Sequence, residues 1–190
     1  DLISYIFPLL RYHSRWNELT IEDLKYMFFR ERVGHSGYLM QKGVRPAVDV
    51  PLGIPLESYE FPEICWDYLD RMLELCNSHG TRLILIKAPS LYPYWYEEWD
   101  DQILTYAKKH GMKYYNLLDM CDEIGIDWST DTYDMGLHLN VWGAEKLSVY
   151  FGKILSEEVG IPDWRGEPEV DKIWQEKVMA YYAEKNEVKK

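Results

Sequence analysis

The sequence predicts an α/β domain in which helices pack on a parallel sheet, and three observations favour this class. The chain has 190 residues, which suits one domain with at most a small appendage. Its hydrophobic fraction of 47% and charged fraction of 28% are those of a folded globular protein. From Pro62 onwards, segments with helical periodicity alternate with short apolar runs, an order typical of parallel strands joined by helical crossovers.

Residues 1–61 form an irregular N-terminal region that we expect to pack on this core. Thr20 has the position of an N-cap, with Asp23 as a weak capping-box acid, and together they predict a short helix from Ile21 to Arg32. Between Val33 and Pro62 lie four of the nine prolines and four of the twelve glycines. That density of breakers predicts a long loop region or small strands.

The first clear unit of the core is a helix after Pro62 followed by a strand. Gly80 stands where a C-terminal cap belongs, and the run Leu83–Ile86 is typical of a strand buried on both faces, which Pro89 ends. The apolar residues of the helix share one face. They are Cys65, Tyr68, Leu69, Met72, Leu75 and Cys76.

The second unit repeats this order. A helix directs Trp99, Ile103 and Ala107 inward, Gly111 stops it, and a strand follows at Lys113–Leu118. After a polar loop, a helix capped by Asn140 carries an apolar stripe made of Leu147, Tyr150, Phe151, Ile154 and Leu155. The pattern therefore places the α/β core at residues 62–160, followed at 161–190 by an amphipathic helix and a charged tail.

The predicted sheet has few strands. Two core strands are recognisable, whereas sheets usually have about four to six. Further strands are expected either upstream of residue 1 or within the first 60 residues, and the absence of an initiator Met before Asp1 favours a domain truncated on its N-terminal side. An open hydrophobic sheet edge also predicts a homodimer, because unpaired strands seek partners.

Charge and composition exclude several function classes. There are 32 acidic and 21 basic residues, and the net charge of -11 disfavours nucleic acids and anionic membranes as partners. No apolar run approaches the roughly 20 residues of a membrane span. Three cysteines, without metal-ligand spacing, predict neither a disulfide framework nor a metal site, and no cofactor is expected. The compartment stays open: cytoplasmic by default, extracytoplasmic if a signal segment has been removed.

The densest polar group in the sequence is the loop from Asp131 to Asn140. Ligand and catalytic groups of open α/β sheets gather beyond the carboxyl ends of the strands, where this loop is expected. His138 precedes a helix, and either Asp131 or Asp134 could orient its ring, so that it could act as a general base. The other interpretation is a loop histidine that serves only the structure.

A family resemblance is found in the same stretch. Asp134 to Leu147, DMGLHLNVWGAEKL, resembles the last conserved block of the SGNH (GDSL-like) hydrolases. The resemblance implies a three-layer, flavodoxin-like fold and a Ser-His-Asp triad in which His138 is the base and Asp134 its partner. It further implies that Gly143 lets the last helix pack closely on the sheet. The implied function is a serine esterase that removes acyl or acetyl groups, with carbohydrate esters among its substrates.

The sequence departs from the family pattern in two ways. The usual D-x-x-H spacing is replaced by four steps between Asp134 and His138, and no G-D-S nucleophile block is present. Serines within the chain carry weak signals: Ser36 lies in a G-x-S-x-G-like turn without the last glycine, Ser14 follows a histidine, and Ser90 follows a strand. We therefore expect this chain to supply the His/Asp part of a triad and to be inactive alone.

Aromatic residues make up 15% of the chain, and they are concentrated in the stretch Tyr92–Trp99. Because this stretch follows a strand, we expect it near His138, with Tyr92, Tyr94, Trp95 and Asn140 as substrate-binding residues. Some of these rings could instead be core. The alternative function is a non-catalytic SGNH-like module that binds glycan or protein through this aromatic loop.

Overall fold

The computed structural model describes residues 34–187 together with Thr20, Ile21, Lys25, Phe28 and Phe29. The chain divides into two compact units, Asp1–Leu39 and Met40–Lys190. In the first unit, the described residues from Ile21 to Phe29 are helical, within the range of the predicted helix, and His35–Gly37 forms a single 3-10 turn. Candidate Ser14 lies outside the described residues.

The second unit contains helices and a small parallel sheet. Its elements are α1 (Glu63–Ser78), β1 (Ile84–Lys87), α2 (Glu97–Lys109), β2 (Lys113–Asn116), α3 (Cys121–Ile124), α4 (Val141–Glu157) and α5 (Pro168–Asn186). β1 and β2 pair in parallel, in a register that runs from Ile84 opposite Lys113 to Lys87 opposite Asn116. The predicted order of helix, strand, helix and strand is therefore confirmed. Within the described part of the chain the sheet has these two strands, so the three-layer, flavodoxin-like architecture stays a prediction.

Glycines end the two helices that precede the strands. Gly80 (φ +63°) and Gly111 (φ +65°) adopt the left-handed conformation, which glycine accepts without a Cβ clash. Just beyond them, Thr81 N–H donates to the Cys76 carbonyl and Met112 N–H donates to the Ala107 carbonyl, each at 2.8 Å. A left-handed glycine followed by one backbone hydrogen bond therefore ends each helix and leads the chain into the next strand.

The buried core of this unit lies where β2, α3 and α4 meet. It consists of Tyr115, Leu117, Cys121, Ile124, Ile126 and Ile154. Leu147, Tyr150 and Phe151 of α4 pack against it, which confirms the apolar stripe predicted for this helix. Leu139, in the loop that precedes α4, also packs against this core, so the core and the loop are in contact.

Two predictions about burial are wrong. β1 is not buried on both faces, because the side chain of Ile86 is 50% exposed. On α1, Tyr68, Met72 and Leu75 of the predicted face are exposed, whereas Leu69 and Cys76 of that face are half-buried, as are Trp66 and Leu73. The physical reason is the size of the sheet: among the described residues it has two strands, with β1 at an edge. Such a sheet is too small to cover all of β1 and α1.

The last helix is held at its C-terminal end. Tyr181 donates from its hydroxyl to Glu145 at 2.8 Å, Lys185 pairs with the same carboxylate, and Lys42 Nζ donates to the carbonyls of Glu184 and Glu187. The helix predicted for this region is confirmed, but Ile173, Trp174 and Val178 on its apolar face are exposed. None of the helices in the described part of the chain has the length and apolar character needed to span a membrane.

Candidate functional site

The loop between α3 and α4 is built around Asp131. This residue is 2% exposed, and its Oδ2 atom accepts from Lys146 Nζ at 2.6 Å and from the Asp127 N–H at 2.8 Å. A buried carboxylate with a cation and an N–H as donors is satisfied within the protein. Asp131 therefore connects the loop to α4, and its hydrogen bonds do not involve His138.

Asp134 is the acid that contacts His138. Its Oδ2 lies 2.6 Å from His138 Nδ1, and its Oδ1 accepts the His138 backbone N–H at 2.7 Å. The four-step spacing is accommodated because Met135 (φ +66°) and Gly136 (φ +100°) both adopt left-handed conformations. The carboxylate thus reaches the ring despite the departure from D-x-x-H, and of the two acids left open by the sequence it is the one that holds the imidazole.

The pair has the electrostatics of an oriented base. Partial burial raises the pKa of the Asp134 carboxyl, but hydrogen bonds from the His138 ring and backbone outweigh this effect and hold the pKa below its usual value. Asp134 is therefore ionised at neutral pH and accepts a hydrogen bond from Nδ1–H. In the neutral form of the imidazole, this hydrogen bond places the lone pair on Nε2. The His138 side chain is 59% exposed, so that solvent or a substrate can approach it.

Asn140 caps α4 from a fully buried position. Its Oδ1 accepts from the N–H groups of Trp142 (3.1 Å) and Gly143 (3.2 Å), and its Nδ2 donates to the carbonyls of Thr130 and Gly43. The predicted N-cap is confirmed. Both the oxygen and the nitrogen of the Asn140 amide form hydrogen bonds within the protein. Asn140 therefore has a structural role, whereas the sequence suggested substrate binding.

Gly143 permits a close approach between α4 and the loop. A Cβ atom at this position would lie 2.6 Å from the Asp131 carbonyl oxygen, too close for any side chain. The resemblance implied packing of this glycine on the sheet. The observed neighbours are Asp131 and Leu139 of the loop itself.

A segment of the N-terminal loop region runs alongside the candidate site. Arg45 donates from its N–H to the Thr132 carbonyl (2.9 Å) and accepts from the Met135 N–H (3.1 Å). Ala47 N–H donates to the Trp128 carbonyl at 2.9 Å, and the carbonyl of Gln41 accepts from Val141. We call residues 41–47 the strap. The sequence pattern gives no indication of this pairing, because a short extended segment with Gly43 and Pro46 has no periodicity that points to a partner.

The aromatic loop after β1 reaches the site at one point. Leu91 N–H donates to the Gly136 carbonyl at 2.8 Å, so the two loops are neighbours as the sequence suggested. Within the described residues, however, Tyr92, Tyr94 and Trp95 make no hydrogen bond or ring contact with His138. The ring that lies against it is Tyr133, with centroids 5.7 Å apart and planes 11° from parallel. Tyr133 is a neighbour that the sequence reasoning did not single out.

The predicted binding rings pack mainly on their own surroundings. Tyr94 contacts Tyr96 at a centroid distance of 4.9 Å, and Trp95 contacts Trp99 at 5.5 Å. The indole N–H of Trp95 donates to Asp100 at 3.1 Å, while Lys87 Nζ lies 5.2 Å from the centroid of the Trp95 ring. The aromatic loop is therefore a packed cluster whose surface only partly faces solvent.

A triad needs a serine nucleophile, and a metal site needs a cluster of ligands. Among the described residues, no serine hydroxyl hydrogen-bonds to His138. Ser90 donates to the Tyr92 carbonyl at 2.5 Å, and Ser36 lies in the first unit. In the same part of the chain, no group of three His, Cys, Asp or Glu side chains is arranged to hold a metal ion.

Comparisons of the chain with models of protein families, with curated proteins and with solved structures found no match. The residues and geometry of this loop are therefore the features of the chain that point to a function.

Proposed function

We propose that this chain provides the catalytic base and its orienting carboxylate to a serine ester hydrolase. The observation that carries the proposal is the contact between Asp134 Oδ2 and His138 Nδ1 at 2.6 Å on an exposed imidazole. A carboxylate that holds one ring nitrogen and leaves the other open is the arrangement used to activate a hydroxyl nucleophile. The resemblance of Asp134 to Leu147 to the SGNH hydrolases supports the same chemistry.

The proposed reaction has four proton transfers at His138, two in the formation of an acyl-serine and two in its hydrolysis. Nε2 removes the proton of a serine hydroxyl as the serine oxygen attacks the ester carbonyl, and Asp134 stabilises the imidazolium that forms. The imidazolium then protonates the leaving alkoxide, which leaves an acyl-serine. Water then attacks the acyl-serine as the same Nε2 takes its proton. The imidazolium returns this proton to the departing serine oxygen, so that the carboxylic acid and the free serine are released.

The nucleophile in this proposal is a serine outside the described residues, since none of the described serines hydrogen-bonds to His138. The substrate class is an acyl or acetyl ester, with carbohydrate esters favoured by the aromatic loop that reaches the site through Leu91.

The test is hydrolysis of 4-nitrophenyl acetate and of acetylated oligosaccharides by the native polypeptide that carries these residues. We expect His138→Ala to lower kcat/KM by about 10⁶-fold, as loss of a triad base does. His79→Ala, at an exposed position after α1, is the matched control and should leave the rate unchanged.

A fluorophosphonate probe should in addition label one serine, which peptide mapping would identify as the nucleophile. Absence of both hydrolysis and labelling, or full activity of His138→Ala, would overturn the proposal.

A further inference from the structure

Thr132 is fully buried within the loop that carries Asp134 and His138. It is 0% exposed, and its Oγ1 atom accepts from the Gly136 N–H at 2.7 Å and from the Asp134 N–H at 3.5 Å. Its backbone is fixed as well, because its carbonyl accepts from Arg45 and it forms an antiparallel bridge with Leu139. Thr132 is therefore held from the strap and from the chain that leads into α4.

The hydroxyl oxygen of Thr132 closes a tight turn. Between Thr132 and Gly136 the chain reverses through Met135, whose φ of +66° is costly for a residue with a side chain. Such a conformation persists only where surrounding contacts fix it. The contacts in question are Gly136 N–H to Thr132 Oγ1 and Met135 N–H to the Arg45 carbonyl.

We infer that Thr132 is the positioning residue of the Asp134–His138 pair, because its side-chain oxygen closes the turn that places the carboxylate against the imidazole. Thr132 does not itself touch the reacting atoms. The inference deepens the proposed function and rests on it for the reaction. The placement of the pair can nevertheless be measured without any substrate.

Two substitutions separate the hydroxyl from the rest of the side chain. Thr132→Val keeps the shape but removes the acceptor, so the buried N–H of Gly136 loses its partner and the turn is expected to open. Thr132→Ser keeps the acceptor and loses only a methyl group. The two variants thus form a matched pair for the role of Oγ1.

The substrate-free test is a pH titration of the aspartate carboxyl carbons by NMR in the full chain. In the wild type, hydrogen bonds from His138 hold the pKa of Asp134 below its usual value. We expect this pKa to rise towards the usual value in Thr132→Val and to stay low in Thr132→Ser. Asp163, whose pKa is lowered to about 2 by Arg165, is an internal control that should not change.

The second readout is ester hydrolysis by the native polypeptide. Displacement of the pair predicts a fall in kcat of about 10- to 100-fold in Thr132→Val, an unchanged KM, and near wild-type activity in Thr132→Ser. If Thr132→Val folds and the pKa of its Asp134 equals the wild-type value, the inference is overturned. If Thr132→Val does not fold, the inference is overturned by a raised pKa of Asp134 in Thr132→Ser, which keeps the hydroxyl. If the titration changes as expected but the wild type hydrolyses no ester, the proposed function fails while the positioning role stands.

Discussion

Two carboxylates of the same loop, Asp131 and Asp134, differ in their partners and in their exposure. Asp131 is buried against Lys146, whereas the Asp134 side chain is 25% exposed and contacts the more exposed His138. A buried charge depends on its partner because solvent cannot replace that partner. A partly exposed pair is screened by water and contributes less to stability. Asp131 therefore has a structural role, whereas Asp134 and His138 are accessible from solvent.

This difference leads to a stability prediction for Lys146. Lys146→Met leaves the Asp131 carboxylate buried without its cation, so we expect a loss of about 3 kcal/mol in the free energy of unfolding. Lys153→Met, on the exposed side of the same helix, is the control and should change that free energy by at most about 0.5 kcal/mol. Urea unfolding followed by circular dichroism measures both. Equal effects of the two substitutions would contradict the structural role of Asp131.

The pKa of Asp134 predicts a pH dependence of stability. Because the folded-state pKa is lower than the usual 3.8, ionisation of Asp134 stabilises the fold at pH values above the unfolded-state pKa. This contribution is lost as the pH falls through the folded-state pKa. We therefore expect Asp134→Asn to be less stable than the wild type at about pH 7 and the difference to shrink towards about pH 2. Urea unfolding at several pH values tests it, and a constant difference would argue against the Asp134–His138 contact.

Helix α4 contains two glycines with opposite surroundings. Gly143 faces the backbone of Asp131, whereas a Cβ atom at Gly152 would meet nothing within 4 Å. We expect Gly143→Ala to destabilise the protein by about 1–3 kcal/mol through overpacking. Gly152→Ala should instead stabilise it by up to about 1 kcal/mol, because alanine is the better helix former. Thermal unfolding of the two variants provides the comparison, and stabilisation by Gly143→Ala would disprove the close approach.

The elements of the second unit could be predicted from the sequence to different degrees. Helices α1, α2, α4 and α5 and both strands follow from periodicity and from glycine stops at Gly80 and Gly111, which are local signals. Burial was harder to predict. Ile86 and Tyr68 are exposed because burial depends on which strands and helices cover a surface, and a periodic pattern does not name the covering element.

The candidate site shows the same contrast. Asp134 and His138 are four residues apart, so one local pattern contains the whole pair. Thr132 and the strap were not predicted, because their roles depend on contacts between distant parts of the chain, such as Val141 with Gln41. A threonine in a polar loop has no sequence signal that distinguishes a buried hydrogen-bond acceptor from a solvated hydroxyl.

For the molecule as a whole, much of the aromatic content is explained by packing. Ring contacts run continuously through the second unit, from Tyr94 to His110. Each such pair adds about 0.5–1.5 kcal/mol beyond the burial of its area. The cluster joins α1 to α2 and to the loop after β1. The aromatic residues of this cluster therefore stabilise the fold by packing against one another. Only the rings at its surface can contact a ligand.

In the described part of the chain, the unpaired edge of β1 favours self-association, and the net charge of -11 opposes it. Within the described residues β1 pairs with β2 alone, so the backbone groups on its other side can pair with a strand of a second copy. Two copies of the chain carry like charges and repel each other, and salt screens this repulsion over about 10 Å at 0.1 M. Pairing through the edge should therefore become stronger as ionic strength rises, unlike an association that depends on ion pairs.

We accordingly propose a homodimer in which two β1 edges pair, and a charge-matched pair of variants tests it. Ile86→Lys places a cation on the edge strand and should weaken dimerisation by about tenfold or more, because lysine on an edge opposes strand pairing. Val149→Lys adds the same charge on exposed α4, away from β1, and should leave dimerisation unchanged or slightly stronger, because it reduces the negative net charge. Sedimentation velocity between about 50 and 500 mM salt measures the dissociation constants. A chain that is monomeric at every salt concentration, or equal weakening by both lysines, would exclude the β1 edge as the dimer contact.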